Sequence, residues 1–246
     1  MAKRRIDPER IKADLSNELM ELARLLGEQR SGVVVDPGAL WGLANSVRIN
    51  AGAARWEYQI SNLQFKVDVP QNTRPVNCGT HLLVTVDLFA AGHLDHEVED
   101  PLTALVLEIQ VSTLSRSHIC TWHFDRHIEG GDEPEEAHPL YHFQFGGHSM
   151  NEISGLLGKT LLLPTPRLAF PPMNAILALD FVLSNFAGSF WKSLRDNANY
   201  ERLLRESQIK YWQPYLQKLA GWWGVGRGPD DGSWHQLWPH LVEPRR

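Results

Sequence analysis

The sequence is poor in cysteine, in long apolar runs and in excess positive charge. It contains two cysteines, Cys78 and Cys120, in no CxxC pair, so it offers neither a disulfide framework nor a zinc-knuckle spacing. No stretch approaches the roughly 18 uninterrupted apolar residues of a membrane-spanning helix, and no apolar segment follows the basic N-terminus. We therefore expect a cytoplasmic protein without a membrane partner.

The charge balance also excludes one common kind of nucleic-acid binding. A formal net charge of −5 argues against the broad basic surface used for non-specific binding to duplex DNA. The chain has 246 residues, of which 43% are hydrophobic, so it can build a sizeable core. Because it shows no internal repeat and no low-complexity linker, we expect a single domain over residues 1–246.

The first residues predict a helix. Asp7 is a typical N-cap, and Pro8 suits the first helical position. A helix over 8–29 follows, because leucine and isoleucine recur at helical spacing and form one apolar stripe. These residues are Ile11, Leu15, Leu19, Leu22, Leu25 and Leu26.

A sheet is predicted from about residue 53 to residue 146, where apolar residues alternate with a period of two. Between 53 and 69 the parity switches near Ser61 and Asn62, which indicates a bulge or a tight turn. Short connections favour an antiparallel meander. The further strands are predicted at 81–89, 104–112, 119–128 and 139–146.

The C-terminal part, 171–220, reads as helical after an extended proline-rich stretch. A buried helix is predicted over 173–194, and an amphipathic helix over 200–219 that Pro214 kinks. A tryptophan-rich tail spans 221–246. The fold class is therefore α+β, with a four- or five-stranded antiparallel sheet packed on one face by the N-terminal helix and the two C-terminal helices.

Side-chain parity separates the two faces of this sheet, because successive residues of a strand point to opposite sides. We expect the helices to cover the apolar face. Its residues are Leu82, Val84, Val86, Leu88, Leu105, Leu107, Ile109, Val111, Trp122, Phe124, Tyr141, Phe143 and Phe145. The polar face carries Thr85, Asp87, Glu108, Gln110, His123, Asp125, His127, His142 and Gln144.

Histidine is concentrated in this region, since six of the eleven histidines lie between His118 and His148. A solvated face of a half-exposed sheet is one explanation. Acid–base chemistry is a second, in which His123 and His142 act as acid and base and Asp125 orients one of them. His127 and Gln144 complete this candidate catalytic set.

Cleavage of a phosphodiester bond through the RNA 2′-hydroxyl would use such an imidazole pair. Gln144 and either Arg126 or Arg116 are the candidates for contacting phosphate. In a regular strand, however, Arg126 points to the other face.

Metal binding is the third explanation. We expect no cofactor from the sequence, although it allows for a divalent metal. Since His123 and His127 lie about 13 Å apart along a strand, they cannot share an ion. The candidate ligands are His123, Asp125, His142, Asp87 and Glu108.

Two resemblances to known families suggest that the protein acts on nucleic acid, and the first concerns acidic residues. Asp87 or Asp100, followed by Glu108-Ile-Gln110, resembles the acid and ExK pair of restriction-endonuclease-like nucleases, with glutamine in place of lysine.

The hairpin WHFDRH…HPLYHFQFGG resembles segments of uncharacterised bacterial proteins, and it is similar to small histidine-rich RNase-like toxins of toxin–antitoxin modules. This resemblance implies activity on RNA or single-stranded nucleic acid, and the matching positions are His123, His127, His138 and His142.

The function predicted from the sequence is therefore processing of nucleic acid by a ribonuclease-like hydrolase. The alternative is a non-catalytic interaction or scaffold subunit that docks onto a protein partner. In that case the proline-rich loop and the tryptophan-rich tail form the contact surface.

Overall fold

The structure of the chain is a computed structural model. It describes residues 7–29, 32–50, 52–76, 78–95, 100–127, 138–146, 150 and 167–221. The predicted tryptophan-rich tail, 221–246, lies outside these ranges except for its first residue.

An antiparallel sheet of seven strands, β1 to β7 in chain order, dominates the described residues. Its strands are Arg48–Asn50, Arg55–Asp68, His81–His93, Leu102–Thr113, Ile119–Arg126, Tyr141–Phe145 and Leu168–Ala169. The α+β class and the antiparallel meander are confirmed, but the expected number of four or five strands is wrong. The additional strands, β1 and β7, have three and two residues and lie at the sheet edges, where no alternation is long enough to predict them.

The parity switch in β2 is a real irregularity of the ladder. The register with β3 shifts between Ile60 and Leu63, and Asn62 has a positive φ of 54°. The Asp87 carboxylate accepts a hydrogen bond from the backbone N–H of Asn62 at 2.8 Å. Because the shift restores the inward-facing parity, both halves of β2 bury their apolar side chains on the same face.

The helices of the described part follow the sequence pattern in part. Their bounds are α1 Pro8–Glu28, α2 Pro37–Asn45, α3 Ala175–Phe186, α4 Gly188–Arg195, α5 Ala198–Ser207 and α6 Gln213–Gly221. The Asp7 side chain caps α1 as expected. The single helix predicted over 173–194 is wrong, since Ala187, with φ −131° and ψ 50°, separates α3 from α4.

Before Pro214, where a kink is predicted, the structure has a π-helical segment, Gln208–Trp212, between α5 and α6. Proline has no N–H to donate within the helix, and its ring crowds the preceding turn. The wider turn accommodates this, because the Gln213 N–H bonds to the carbonyl of Gln208, five residues earlier.

The helices pack on the apolar face of the sheet and share one hydrophobic cluster with it. Phe143 of β6 stacks on Phe181 of α3, and Tyr141 meets Tyr215 of α6 edge-on. Two residues expected to be covered are not: Trp122 is 36% exposed and Phe145 is 41% exposed. Among the described residues, no helix combines the length and the apolar character needed to cross a membrane.

Candidate functional site

The strand register lines up polar residues from four neighbouring strands. Asp87 lies opposite Glu108, Glu108 opposite His123, and His123 opposite Gln144. Two residues further along the ladder, and on the same face, Asp125 lies opposite His142. The structure therefore brings together the predicted set around β4, β5 and β6.

His123 and Asp125 form a pair on one strand. Their side chains point to the same face, two residues apart, and the Nε2 atom of His123 donates to Oδ2 of Asp125. Both side chains are largely buried, with exposed fractions of 18% and 24%. Asp125 therefore holds the imidazole of His123 in one orientation, and the catalytic role of the two residues stays a prediction.

Three further imidazoles form a contiguous row beside this pair. The ring centroids of His127 and His138 are 4.3 Å apart, and those of His138 and His142 are 4.5 Å apart. The backbone around β6 sets this row. His142 Nδ1 lies 3.1 Å from the carbonyl oxygen of Pro139, and the N–H of His127 donates to the carbonyl of Leu140 at 2.7 Å.

Opposing influences act on the pKa of His123. Burial lowers it, but the hydrogen bond and the charge of Asp125, together with the charge of Glu108, outweigh burial and raise the pKa above the ordinary value. The cationic form of His123 is therefore favoured by its surroundings.

His138 and His142 have the opposite tendency. Burial lowers the pKa of each to about 4. Arg167 adds to the decrease at both rings, whereas the charge of Asp125 opposes it. At neutral pH both imidazoles are uncharged, so each retains an unprotonated ring nitrogen.

The His123–Asp125 pair and the row of His127, His138 and His142 together form one cluster. It contains buried polar atoms that have no hydrogen-bond partner among the described residues. They are Nδ1 of His123, Oδ1 of Asp125 and Nδ1 of His138. Buried polar groups are normally satisfied, so such atoms call for a ligand, a water molecule or a catalytic role. His142 is only 2% exposed, so it lies behind the other imidazoles rather than at the surface of the cluster.

Three other predicted residues either have structural partners or lie away from the imidazole row. The Asp87 carboxylate holds the bulge of β2. Arg126 points away from the polar face, as its parity indicated, and pairs with Asp100 at 2.9 Å. Arg116 is exposed in the hairpin between β4 and β5 with a positive φ of 55°, away from the imidazole row.

Sequence reasoning missed Arg167 altogether. It immediately precedes β7, whose pairing with β6 sets Ala169 opposite His142. The extended proline-rich stretch around Arg167 predicted no strand, and a two-residue strand gives no periodic signal. In the sequence, only the toxin resemblance points to His138, because this residue precedes β6 and strand parity cannot place it.

The metal hypothesis finds no matching geometry in the part of the chain that the structure describes. There, no three His, Cys, Asp or Glu side chains are grouped as ligands for one ion. Divalent metal binding by His123, Asp125, His142, Asp87 and Glu108 stays a prediction.

The comparisons with known proteins return no relative. No protein-family model matches the chain, and neither a curated protein nor a solved structure matches it significantly. The resemblance to histidine-rich toxins therefore stays a prediction as well, and the functional argument depends on the site.

Proposed function

We propose that this protein cleaves RNA by acid–base catalysis at the cluster formed by His123, Asp125, His127, His138 and His142. One observation carries the proposal: the His123–Asp125 pair lies beside a row of three imidazoles, and Nδ1 of His123 and Nδ1 of His138 are buried without a partner among the described residues. The pKa shifts agree with this arrangement, because they favour the charged form of His123 and the neutral forms of His138 and His142. Titratable groups with pKa values moved apart by their environments are the usual arrangement of a catalytic acid and base.

The roles follow from these charge states. Neutral His138 accepts the proton of the RNA 2′-hydroxyl, the 2′-oxygen forms a bond to phosphorus, and the bond from phosphorus to the 5′-oxygen breaks. Cationic His123, whose Nε2–H stays bound to Asp125, gives the proton on its unpartnered Nδ1 to that 5′-oxygen. The products are a 2′,3′-cyclic phosphate and a 5′-hydroxyl, and Asp125 keeps the imidazole of His123 oriented throughout.

His142 acts through His138 in this scheme, because it is buried behind that ring. It is therefore a positioning residue. Gln144, directly opposite His123 in the register and half-buried, supplies an amide N–H for a phosphate oxygen. Arg167 adds positive charge beside His138 and His142.

The test is cleavage of an end-labelled single-stranded RNA in EDTA, next to the all-deoxy oligonucleotide of the same sequence. We expect the RNA alone to be cleaved, with a cyclic phosphate on the product. Replacing His123 or His138 with glutamine should reduce the rate by about 100-fold or more. His93→Gln is the matched control, because His93 is exposed at the far end of β3.

Four results would overturn the proposal. Three of them are the absence of RNA cleavage, equal rates for the wild type and His123→Gln, and cleavage of the deoxy oligonucleotide as well. Cleavage that EDTA abolishes would also overturn it, and would return attention to Asp87 and Glu108 as metal ligands. For His142→Gln we expect the rate to fall and the basic limb of the pH–rate profile to stay in place, since His123 sets that limb.

An interaction subunit is the second candidate, and an apolar groove on the last helices favours it. Ile209 is 56% exposed and Leu216 is 47% exposed. With Trp212 they line a groove of about 460 Å³ along one helix side, where Arg205 is the one charged lining residue. A neutral stripe with three- and four-residue spacing suits antiparallel packing against the same stripe of a second copy of this chain.

Light scattering across a concentration series tests this candidate. We expect a dimer for the wild type, and a monomer for Leu216→Glu. Leu114→Glu is the control, because Leu114 is 59% exposed in the distant hairpin between β4 and β5. A wild-type protein that stays monomeric at all concentrations would rule out self-association.

A further inference from the structure

Two apolar residues interrupt the polar face of the sheet beside the imidazole cluster. Phe89 of β3 and Val106 of β4 lie directly opposite each other, and Val106 lies opposite Asp125. The register then continues from Asp125 to His142. Phe89 and Val106 therefore share one cross-strand row with the catalytic cluster.

This pair does not belong to the hydrophobic core. Phe89 is half-buried and absent from the cluster of residues that pack between the sheet and the helices. Val106 is 39% exposed. Leu88 and Leu107, their neighbours along the chain, point to the other face and are 2% and 0% exposed. Packing of the core thus gives no reason for a phenylalanine at this position.

The neighbours of Phe89 on this face of the sheet are small or polar. On the same face, Ala91 of β3 lies opposite Ala104 of β4, and both side chains are small. On the other side, Gln59 of β2 lies opposite Phe89 and is exposed. A planar ring stacked on Phe89 would contact Val106 on one side and the Gln59 amide on the other.

We propose that Phe89, with Val106, is the platform on which a base of the RNA stacks when the adjoining phosphodiester lies at His123 and His138. This inference rests on the proposed function. Two strand spacings, about 10 Å, separate Phe89 from Asp125, so one short oligonucleotide can contact both the platform and the cluster. Aromatic side chains on open sheet faces bind bases by stacking, and the base must be unpaired to reach them. The platform therefore selects single-stranded RNA.

Binding measurements test the platform without requiring cleavage. The probe is a short fluorescein-labelled 2′-O-methyl RNA, which cannot react through its blocked 2′-oxygen, and its affinity is read by fluorescence anisotropy. We expect Phe89→Leu to raise the Kd by about 5- to 150-fold, as loss of one base–aromatic stack does. Phe89→Tyr, which retains a ring, should bind within about twofold of the wild type.

Two controls separate loss of stacking from loss of structure. Phe145→Leu makes the same chemical change at a residue that is 41% exposed on the opposite face, and it should leave the Kd unchanged. A 2′-O-methyl RNA whose bases are replaced by abasic sites should bind the unmodified protein more weakly, and Phe89→Leu should weaken its binding no further.

The outcomes distinguish this inference from the proposed function. RNA cleavage together with unchanged binding by Phe89→Leu would overturn the platform and leave the proposed function standing. Binding that depends on Phe89 but leads to no RNA cleavage would support the platform and overturn the proposed function. A wild-type protein that binds no oligonucleotide would overturn the platform, and so would equal affinity for abasic and intact probes.

Discussion

Histidines in one cluster experience opposite environments, and this difference is the central feature at the residue scale. His142 is 2% exposed and its pKa is lowered to about 4, mainly by burial. The pKa of His123 is raised, because Asp125 and Glu108 outweigh its burial. Because proton binding is linked to folding, both pKa shifts make the free energy of unfolding depend on pH.

The lowered pKa of His142 determines in which direction this residue makes stability depend on pH. Between about pH 4 and pH 6.5 the unfolded chain binds the proton more readily than the folded chain, so the free energy of unfolding falls as the pH falls through this window. We expect His142→Gln to remove on the order of 3 kcal/mol of this dependence. Urea denaturation of both proteins from pH 7 to pH 4 checks this, and parallel curves would contradict it.

His123 makes the free energy of unfolding depend on pH in the opposite direction, and over a different pH range. Its stabilising contribution is present below its unfolded pKa of 6.5 and is lost as the pH rises through the raised folded value. The free energy of unfolding of His123→Gln should therefore approach that of the wild type above this window. A difference between the two proteins that grows with rising pH would show that Asp125 does not hold the imidazolium.

A glycine provides a second prediction at this scale. A Cβ atom added at Gly92 of β3 would lie 2.4 Å from the carbonyl oxygen of Pro101 and 2.4 Å from the buried ring of Trp56. We expect Gly92→Ala to lower the free energy of unfolding by about 1–3 kcal/mol, the usual cost of overpacking. Thermal unfolding followed by circular dichroism measures the change.

Gly42→Ala is the control for that substitution. Gly42 lies in α2, and a Cβ there meets nothing within 4 Å. Alanine is the better helix former, so the control should gain up to about 1 kcal/mol. If Gly92→Ala proved as stable as Gly42→Ala, the atoms around Gly92 would have made room for the added methyl group without a loss of folding free energy.

At the scale of elements, the bulge of β2 is held by one side chain of the neighbouring strand. The Asp87 carboxylate accepts the Asn62 N–H at 2.8 Å, at the point where the register shifts. We expect Asp87→Ala to lower the free energy of unfolding by about 0.5–1.5 kcal/mol, the net contribution of one hydrogen bond, because the pair is exposed and water replaces the lost acceptor. Asp87→Asn, which keeps an oxygen acceptor, should lose less, and urea denaturation compares the two.

This prediction also separates two roles for Asp87. If it is chiefly a metal ligand, Asp87→Ala should change stability little in EDTA and appreciably in Mg²⁺ or Mn²⁺. If it chiefly supports the bulge, the loss should be the same with and without metal.

The elements differ in how well the sequence predicted them, and the reason is the length of their signals. The cap at Asp7 and the long leucine stripe defined α1. The break at Ala187 was missed because α3 is apolar on nearly all sides, so its pattern does not change where the helix ends. Asp36-Pro37 repeats the cap of α1 and would have identified α2.

The candidate site was predictable to the extent that it lies on strands. Parity correctly grouped His123, Asp125 and His142 on one face, since only the strand period was needed. His138 and Arg167 required the path of the chain outside the long strands. The burial of His142 required tertiary packing, which a period-two pattern does not contain.

At the scale of the whole molecule, sheet and helices share one apolar core. The cluster runs from Leu22 of α1 through Leu107 of β4 to Leu183 of α3, and all three are fully buried. Polar contacts join the same layers, since the Tyr58 hydroxyl on β2 accepts the N–H of Ala175 at the start of α3. A core continuous across both layers predicts that neither layer keeps its structure when the other unfolds.

Leucine substitutions in separate layers test this cooperativity. We expect Leu22→Ala in α1 and Leu107→Ala in β4 each to lower the free energy of unfolding by about 2–5 kcal/mol, through lost burial and a residual cavity. Because the layers share the core, far-UV circular dichroism and tryptophan fluorescence should report the same midpoint in the wild type and in both variants. If Leu22→Ala instead separates the two transitions, the helices unfold before the sheet, and the expectation of a single domain over 1–246 is wrong.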